Sequence, residues 1–211
     1  TGLITQFIFV DLLPPDVSTV GNSFQAVLET VYMGVVGMVI GAFNALLLSF
    51  LAASTTSPHW SIQVAVRAFT SILRNIPNLI WVILLVVAYG IGTTVGTLAL
   101  VIGSVGFLTR VFADTLEEID MGQVEALKAT GAGYFQVLMQ GVFPQFFPGF
   151  VAWSLYNLEL NIRASTIIGM VGGGGIGFAI QKSIKLFQYK EVSMAILLVL
   201  ALILCTEFLT S

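Results

Sequence analysis

The sequence predicts an all-α integral membrane protein with about five transmembrane helices and one short helix outside the membrane, between the third and the fourth. Charged residues make up 9% of the 211 residues and hydrophobic residues 57%, whereas a soluble domain carries about 25% charged residues. Residues 30–53 form a run of 24 without a charge. As a helix this run is roughly 36 Å long, enough to cross the ~30 Å hydrocarbon core of a bilayer.

The composition also excludes several classes of function. The net charge of −3 is small and argues against nucleic-acid binding. The single histidine, His59, rules out a multi-histidine metal site, and the single cysteine, Cys205, cannot form an internal disulfide. The sequence begins without Met and stops in an apolar run at Ser211, so we expect further segments before Thr1 or after Ser211.

Charge-free runs and turn formers place the spans in order. We expect them at about 24–53, 62–88, 95–113, 135–162 and 192–210. The turn formers "STTSPH" (54–59) end the first span, and "YGIGTTVGT" (89–97) separates the second from the third. Two prolines in the fourth span kink a membrane helix but need not stop it.

Two arginines fall inside the second span. Helical spacing places four polar residues on one of its faces: Arg67, Ser71, Arg74 and Asn78. Either the arginines snorkel to the near interface, or the polar face borders a cavity. Both interpretations stay open at this point.

The second half of the fourth span is polar. Asn157 and Asn161 lie on one face, and Glu159 and Arg163 form an acid–base pair at i and i+4. Polar groups at membrane depth usually face a bundle interior or a water-filled path. The alternative is that residues 159–163 lie beyond the far interface, where an exposed pair contributes little.

The segment "VGGGGIGF" (171–178) cannot form a regular helix, because each glycine costs about 1 kcal/mol there. It is not a phosphate-binding Walker A loop, since no Gly-Lys-Ser/Thr follows. We therefore expect a re-entrant or loop segment, with Gly172, Gly173, Gly174 and Gly175 as a candidate gate or hinge. The polar, basic stretch "QKSIKLFQYKE" (181–191) is expected to connect it to the fifth span.

The segment 121–131 predicts a short helix outside the membrane. Asp120 is the expected N-cap, with Gln123 as its capping-box partner, and Gly131 and Gly133 end the helix. A helix this short is marginal alone and needs a surface to dock on. It is either a plain linker or a docking element.

The spacing of this stretch resembles the "EAA" signature of ABC importer permeases: E-A-A, three residues, G, nine residues, I-x-L-P. Glu125, Ala126, Gly131 and Pro144 match, whereas Leu127, Gly141 and Phe143 depart from it. The segments "RNIPNLIWVILLV" (74–86) and "YNLELNIRASTIIGMVGGGGIGF" (156–178), together with "PPD" (14–16), look like the permeases of phosphonate importers of the methionine-importer-like fold. The resemblance covers roughly residues 12–208, and the family pattern carries a further span before them.

The resemblance implies an ATP-driven importer of phosphonate or a related small phosphorus oxyanion, in the bacterial inner membrane. The helix between spans three and four would be a cytoplasmic coupling helix that docks on a separate ATPase dimer through Glu125, Ala126, Lys128, Gly131 and Pro144. Residues 1–23 would then be extracytoplasmic, an orientation that basic residues divided four against four do not set.

The same resemblance implies the partners and the cargo path. The chain is expected to be no enzyme and to hold no cofactor or metal, since ATP and Mg would bind the ATPase. An extracytoplasmic substrate-binding protein and a second permease copy, as a homodimer, complete the assembly. Four residues are candidates for the translocation path: Arg74, Asn157, Asn161 and Arg163.

Two alternatives stay open. Within ABC importers, the chain could serve methionine or polar amino acids, because those permeases share the coupling loop and the five-span core. Outside them, a secondary transporter would suit broken helices and polar groups at mid-membrane depth, but we find no internal repeat in the sequence.

Overall fold

Every regular element is helical in the part of the chain that the computed structural model describes, Pro15 and residues 20–210, with the side chain of Asn22 left aside. The elements are α1 (Val20–Ala52), α2 (Trp60–Asn75), α3 (Asn78–Tyr89), α4 (Thr93–Glu117), α5 (Met121–Ala129), α6 (Tyr134–Val137), α7 (Phe143–Ile168), α8 (Gly175–Lys185) and α9 (Tyr189–Thr210). A π-helical turn, Leu138–Val142, precedes α7, and an irregular segment with non-helical backbone at Gly172, Gly169–Gly173, follows it. The all-helical prediction is confirmed, whereas most of the predicted leading segment 1–23 and of "PPD" lies outside the described residues.

Length and apolar character qualify three helices as membrane spans: Ser23–Ala52 within α1, α4 and α9. The pair α2–α3 and the run Tyr134–Gly173 with α8 each contain a bend. If each bent pair counts as one span, there are five. The chain is therefore a multi-pass membrane protein of the predicted class.

The sequence predicts one helix through the second span, and the structure corrects this. The helix stops at Asn75, and Ile76 has an extended backbone (φ −84°, ψ 118°). The physical reason is Pro77, which disfavours helical geometry in the residue before it and has no N–H to donate. The polar face of the second span therefore ends at Arg74, because Asn78 opens the next helix.

The basic connector 181–191 also needs correction. Residues 181–185 continue the regular helix α8, and only the turn before Tyr189 is non-helical. The side chains of Ile176 and Ile180 are buried in a cluster with Val27, Val192 and Ala195. Burial of this apolar face offsets the poor helix propensity of the glycines that open α8.

The helices group into two compact units. One comprises the described residues up to Met38, Pro77–Ile102 and the described residues from Leu158, and the other comprises Val39–Ile76 and Gly103–Asn157. The first unit is built on two clusters of buried aliphatic side chains, one around Ile176 and one around Leu100. In the second, Phe112 packs against Phe146 and Phe150 with ring centroids 5.7 and 5.0 Å apart.

Candidate functional site

The candidate site is the short helix α5 with the turns that fix it. The carboxylate of Asp120 accepts a hydrogen bond of 2.9 Å from the backbone N–H of Gly122, so the predicted N-cap is confirmed. The backbone N–H of Asp120 donates to the side-chain Oε1 of Gln145 at 2.8 Å. Gln145 in α7, and not Gln123, therefore satisfies the free N–H of the N-cap residue.

Gln145 is a positioning residue that the sequence does not reveal. Its Nε2 donates to the carbonyl of Gly141 at 2.7 Å while its Oε1 accepts from Asp120. One side chain thus ties the start of α5 to the first turn of α7. The capping-box spacing favours a partner three residues on, whereas Gln145 lies 25 residues away and only folding brings it to the cap.

The end of α5 is set by a glycine that must have positive φ. Thr130 caps the helix, and its backbone N–H reaches the carbonyl of Leu127. Gly131 then has φ +81°, and no atom of the described residues lies within 4 Å of the position that a Cβ would take. This backbone costs an L-residue about 1–2 kcal/mol, so the chain turns here at a residue that adopts it freely.

The two faces of α5 differ sharply. Val124 is 3% exposed, whereas Glu125, Ala126 and Lys128 are exposed. Glu125 forms no ion pair with any residue in the described part of the chain. The helix therefore rests on its apolar side and presents an acid, a small residue and a base outward.

Two departures from the signature compensate each other. Leu127 stands at the second Ala of E-A-A, and Gly141 stands at the Ile of the closing segment. A Cβ on Gly141 would lie 2.9 Å from Cδ1 of Leu127 and 3.7 Å from Cγ2 of Val124. The large side chain therefore belongs to Leu127 in α5 and not to position 141 in the π-helical turn, and it fills the space next to Gly141.

A pocket of about 290 Å³ adjoins α5. Its lining is mostly apolar, from Ile119, Val124, Val137 and Val142, with Lys128 at its edge. Pro144 lies exposed in the first turn of α7, after the π-helical turn Leu138–Val142. A proline there gives up one helical hydrogen bond, and an irregular turn before it accommodates this loss.

The candidate path residues have different surroundings. Arg74 is exposed and lines a pocket with Arg67 and Ser71, so the polar face of α2 borders a cavity. Asn157 and Asn161 are each 3% exposed, and the Nδ2 of Asn161 lies 3.5 Å from the carbonyl oxygen of Gly34. Both amides are enclosed by their own chain.

Arg163 forms ion pairs with two carboxylates. Its guanidinium pairs with Glu159, and Glu207 lies 3.7 Å away. The hydroxyl of Thr210 donates to the other oxygen of Glu159. One cation facing two carboxylates gives no net positive charge to attract an anion.

The glycine-rich segment is buried and locally non-helical. Gly172 and Gly174 have φ +105° and +82°, and Gly175 has φ +67°. The carbonyl of Gly172 accepts from the N–H of Gly92 at 2.9 Å, and the Ile176 N–H donates to Thr30 Oγ1 at 2.9 Å. The segment is a tightly held break between helices, with no side chain of its own for chemistry.

Comparison with known proteins places these features in a family. Residues 45–211 match the family of binding-protein-dependent transport system inner membrane components. The chain is 37% identical over 198 residues to the phosphate-import permease protein PhnE of Mycolicibacterium smegmatis, covering 94% of this chain and 37% of that one. It is 39% identical over 193 residues to the phosphite transport system permease protein PtxC of Stutzerimonas stutzeri, covering 92% and 70%.

A solved structure has the same fold as this chain. The chain superposes on the MetNI methionine ABC transporter in an inward-facing conformation with a TM-score of 0.80 and 23% identity, covering 92% of this chain and 95% of that one. The chain belongs to the family of binding-protein-dependent transport system inner membrane components, the permeases of ABC importers.

Proposed function

We propose that this chain is the permease subunit of an ATP-driven importer of a small phosphorus oxyanion. The observation that carries the proposal is the geometry of α5. The helix is capped at Asp120, turned at Gly131 and seated on Val124, with Glu125, Ala126 and Lys128 outward. Such a helix suits docking in a groove of a separate subunit.

The partner in this proposal is a dimer of ATPase subunits, which would hold ATP and Mg. Closure of that dimer would move α5, and Gln145 would pass the movement to α7, because one side chain bonds both elements. Two permease copies, an extracytoplasmic binding protein and a bacterial inner membrane complete the proposed assembly. Alternating access between the two sides of the membrane follows from this coupling.

The relatives support the class of cargo. One similar protein is a phosphate-import permease and another belongs to a phosphite transport system. Both ions are small tetrahedral phosphorus oxyanions, as phosphonates are. The chain spans 37% of the length of the first and 70% of the second. The support for this class of cargo therefore comes from the segment that each relative shares with this chain.

Among the four candidate path groups, Arg74 suits an anion best. It is exposed, and it forms no ion pair with the residues that the structure describes. Arg163 is neutralised by two acids, and the two asparagines are buried. An anion path needs positive potential that remains uncompensated.

The test is uptake by proteoliposomes that hold the complete transporter with its binding protein. We expect ATP-dependent, vanadate-sensitive uptake of radiolabelled phosphate or phosphite, with an alkylphosphonate as competitor. Methionine, the cargo of the solved transporter of like fold, is the comparison substrate. Methionine uptake without oxyanion uptake would assign the chain to amino-acid import, and uptake without ATP would make it a secondary transporter.

A further inference from the structure

A basic pocket lies between α2 and α4, apart from the coupling helix. Its volume is about 430 Å³. Among the described residues, the polar part of its lining consists of three arginines and three hydroxyl residues and includes no carboxylate: Arg67, Arg74, Arg110, Thr70, Ser71 and Thr109. A cavity lined in this way has a positive potential.

The positive charge of the pocket is only partly compensated. The guanidinium of Arg67 lies 2.5 Å from Glu117, and that of Arg110 lies 2.9 Å from Asp114. Neither carboxylate lines the pocket. Arg74 forms no ion pair within the described part of the chain, so one full positive charge remains for a ligand.

Thr109 supplies an independent observation. The residue is 0% exposed, and its Oγ1 has no hydrogen-bond partner among the residues that the structure describes. A buried hydroxyl without a partner is costly, and such groups are rare in folded proteins. Thr109 lines the pocket, so rotation of its side chain toward the pocket would let a ligand oxygen satisfy the hydroxyl.

The backbone fixes the geometry of the pocket. A Cβ on Gly106 would lie 2.9 Å from the backbone N of Arg74 and 3.2 Å from its Cα. Only a glycine lets α2 and α4 approach this closely. Arg74 is thereby held beside the turn of α4 that carries Thr109.

We propose that this pocket binds the tetrahedral phosphate group of a ligand, either a free phosphorus oxyanion or the headgroup of a phospholipid. Planar guanidinium groups donate two parallel hydrogen bonds to such oxygens, and Thr109 donates a further one. The pocket shares Arg74 with the proposed cargo path, but the inference does not require that the chain imports phosphorus oxyanions, because a phosphate pocket can serve a permease of any cargo.

The experiment uses the complete transporter, purified as wild type, Thr109→Val, Arg74→Gln and, as a matched loss of one positive charge, Lys185→Gln. Lys185 is exposed in α8 and does not line the pocket. In the first arm, thermal unfolding in a phosphorus-free detergent is followed with rising inorganic phosphate and with chloride at equal ionic strength. In the second arm, native mass spectrometry counts phospholipids retained after extraction from membranes containing phosphatidylglycerol.

In the first arm, a free oxyanion raises the Tm of the wild type and of Lys185→Gln, because a ligand stabilises the state that binds it. In Thr109→Val and Arg74→Gln, the phosphate concentration for half the effect rises at least about tenfold, equal to ~1.4 kcal/mol. In the second arm, a lipid ligand is retained by the wild type and lost from the same two variants. Either pattern supports phosphate binding in the pocket. The arm in which the pattern is seen shows whether the ligand is a free oxyanion or a phospholipid headgroup.

Equal phosphate response and equal lipid retention in all four proteins would overturn the proposal. Thr109→Val keeps the inference testable, because it removes only an unpartnered hydroxyl, so its Tm without ligand should equal or exceed that of the wild type. Binding is measured without ATP turnover. If the transporter imports phosphite but fails this binding test, the phosphate pocket is refuted and the proposed import function still stands.

Discussion

Leu127 and Gly141 form a complementary pair across the α5–α7 connection: a Cβ added to Gly141 would lie 2.9 Å from the Cδ1 of Leu127. In the family signature the first position is small and the second is large. The exchange keeps the volume between the two segments, and core packing tolerates such exchanges better than a change at one side alone.

Replacing Leu127 and Gly141 together by the residues of the family signature should therefore restore the stability that each single replacement loses. We expect Gly141→Ile to lower the Tm through the contact with Leu127, and Leu127→Ala to cost less than the ~2–5 kcal/mol of a fully buried leucine. The double variant should recover about 0.5–3 kcal/mol relative to the sum of the two. Thermal unfolding of all four proteins measures this, and strict additivity would contradict the pairing.

Glu125→Lys should uncouple ATP hydrolysis from transport. Glu125 is exposed on α5, so reversing its charge leaves folding intact but alters the proposed docking surface. We expect cargo moved per ATP hydrolysed to fall about fivefold or more, within the usual range of coupling energies. Glu118→Lys makes the same charge change at an exposed residue before the helix, and an equal loss there would count against the docking role.

Gly131→Val should weaken assembly with the ATPase, since its φ of +81° strains a β-branched residue. No described residue lies within 4 Å of the Cβ position, so the effect comes from the backbone and not from a clash. Gly131→Asn is the matched comparison, because asparagine tolerates this conformation. We expect co-purification of the ATPase to fall with valine and to persist with asparagine; equal yields would refute the requirement for positive φ.

Arg74→Ala and Arg163→Ala should separate the two candidate path cations. Arg74 is unpaired within the described residues, whereas Arg163 meets Glu159 and Glu207. We expect the first change to reduce oxyanion flux at unchanged assembly. The second should leave flux intact and alter stability by up to about 1 kcal/mol, as a partly exposed ion pair does. Initial uptake rates measure the flux, and Tm measures the stability. A larger loss of flux in Arg163→Ala than in Arg74→Ala would assign the anion path to Arg163.

Gly174→Ala should destabilise the protein strongly. An added Cβ would lie 2.5 Å from Thr93 Cγ2 and 2.9 Å from the backbone N of Thr93, at φ +82°. Both the contact and the strain of about 1–2 kcal/mol oppose it. Gly92→Ala is the matched variant, because no described residue lies within 4 Å of its Cβ position and the hydrogen bond from its N–H to Gly172 is kept. A Tm loss for Gly174→Ala no larger than for Gly92→Ala would show that this break is not tightly held.

The sequence alone determines the features that depend on neighbours along the chain. Apolar runs set the helical membrane class, Asp120 caps α5, Gly131 ends it, and Glu159 pairs with Arg163 one turn on. Each rests on helical spacing or on local backbone geometry, and both are readable from the order of residues.

Tertiary structure decides what depends on residues that are distant in sequence. Gln145 takes the place of Gln123 at the cap, and Arg67 reaches Glu117 across 50 positions. Folding also buries Thr109 near Arg74 without a hydrogen-bond partner in the described part of the chain, and it stabilises α8 against its glycines through buried contacts. Periodicity cannot predict these, because the free energy comes from packing and hydrogen bonds between segments that only the fold brings together.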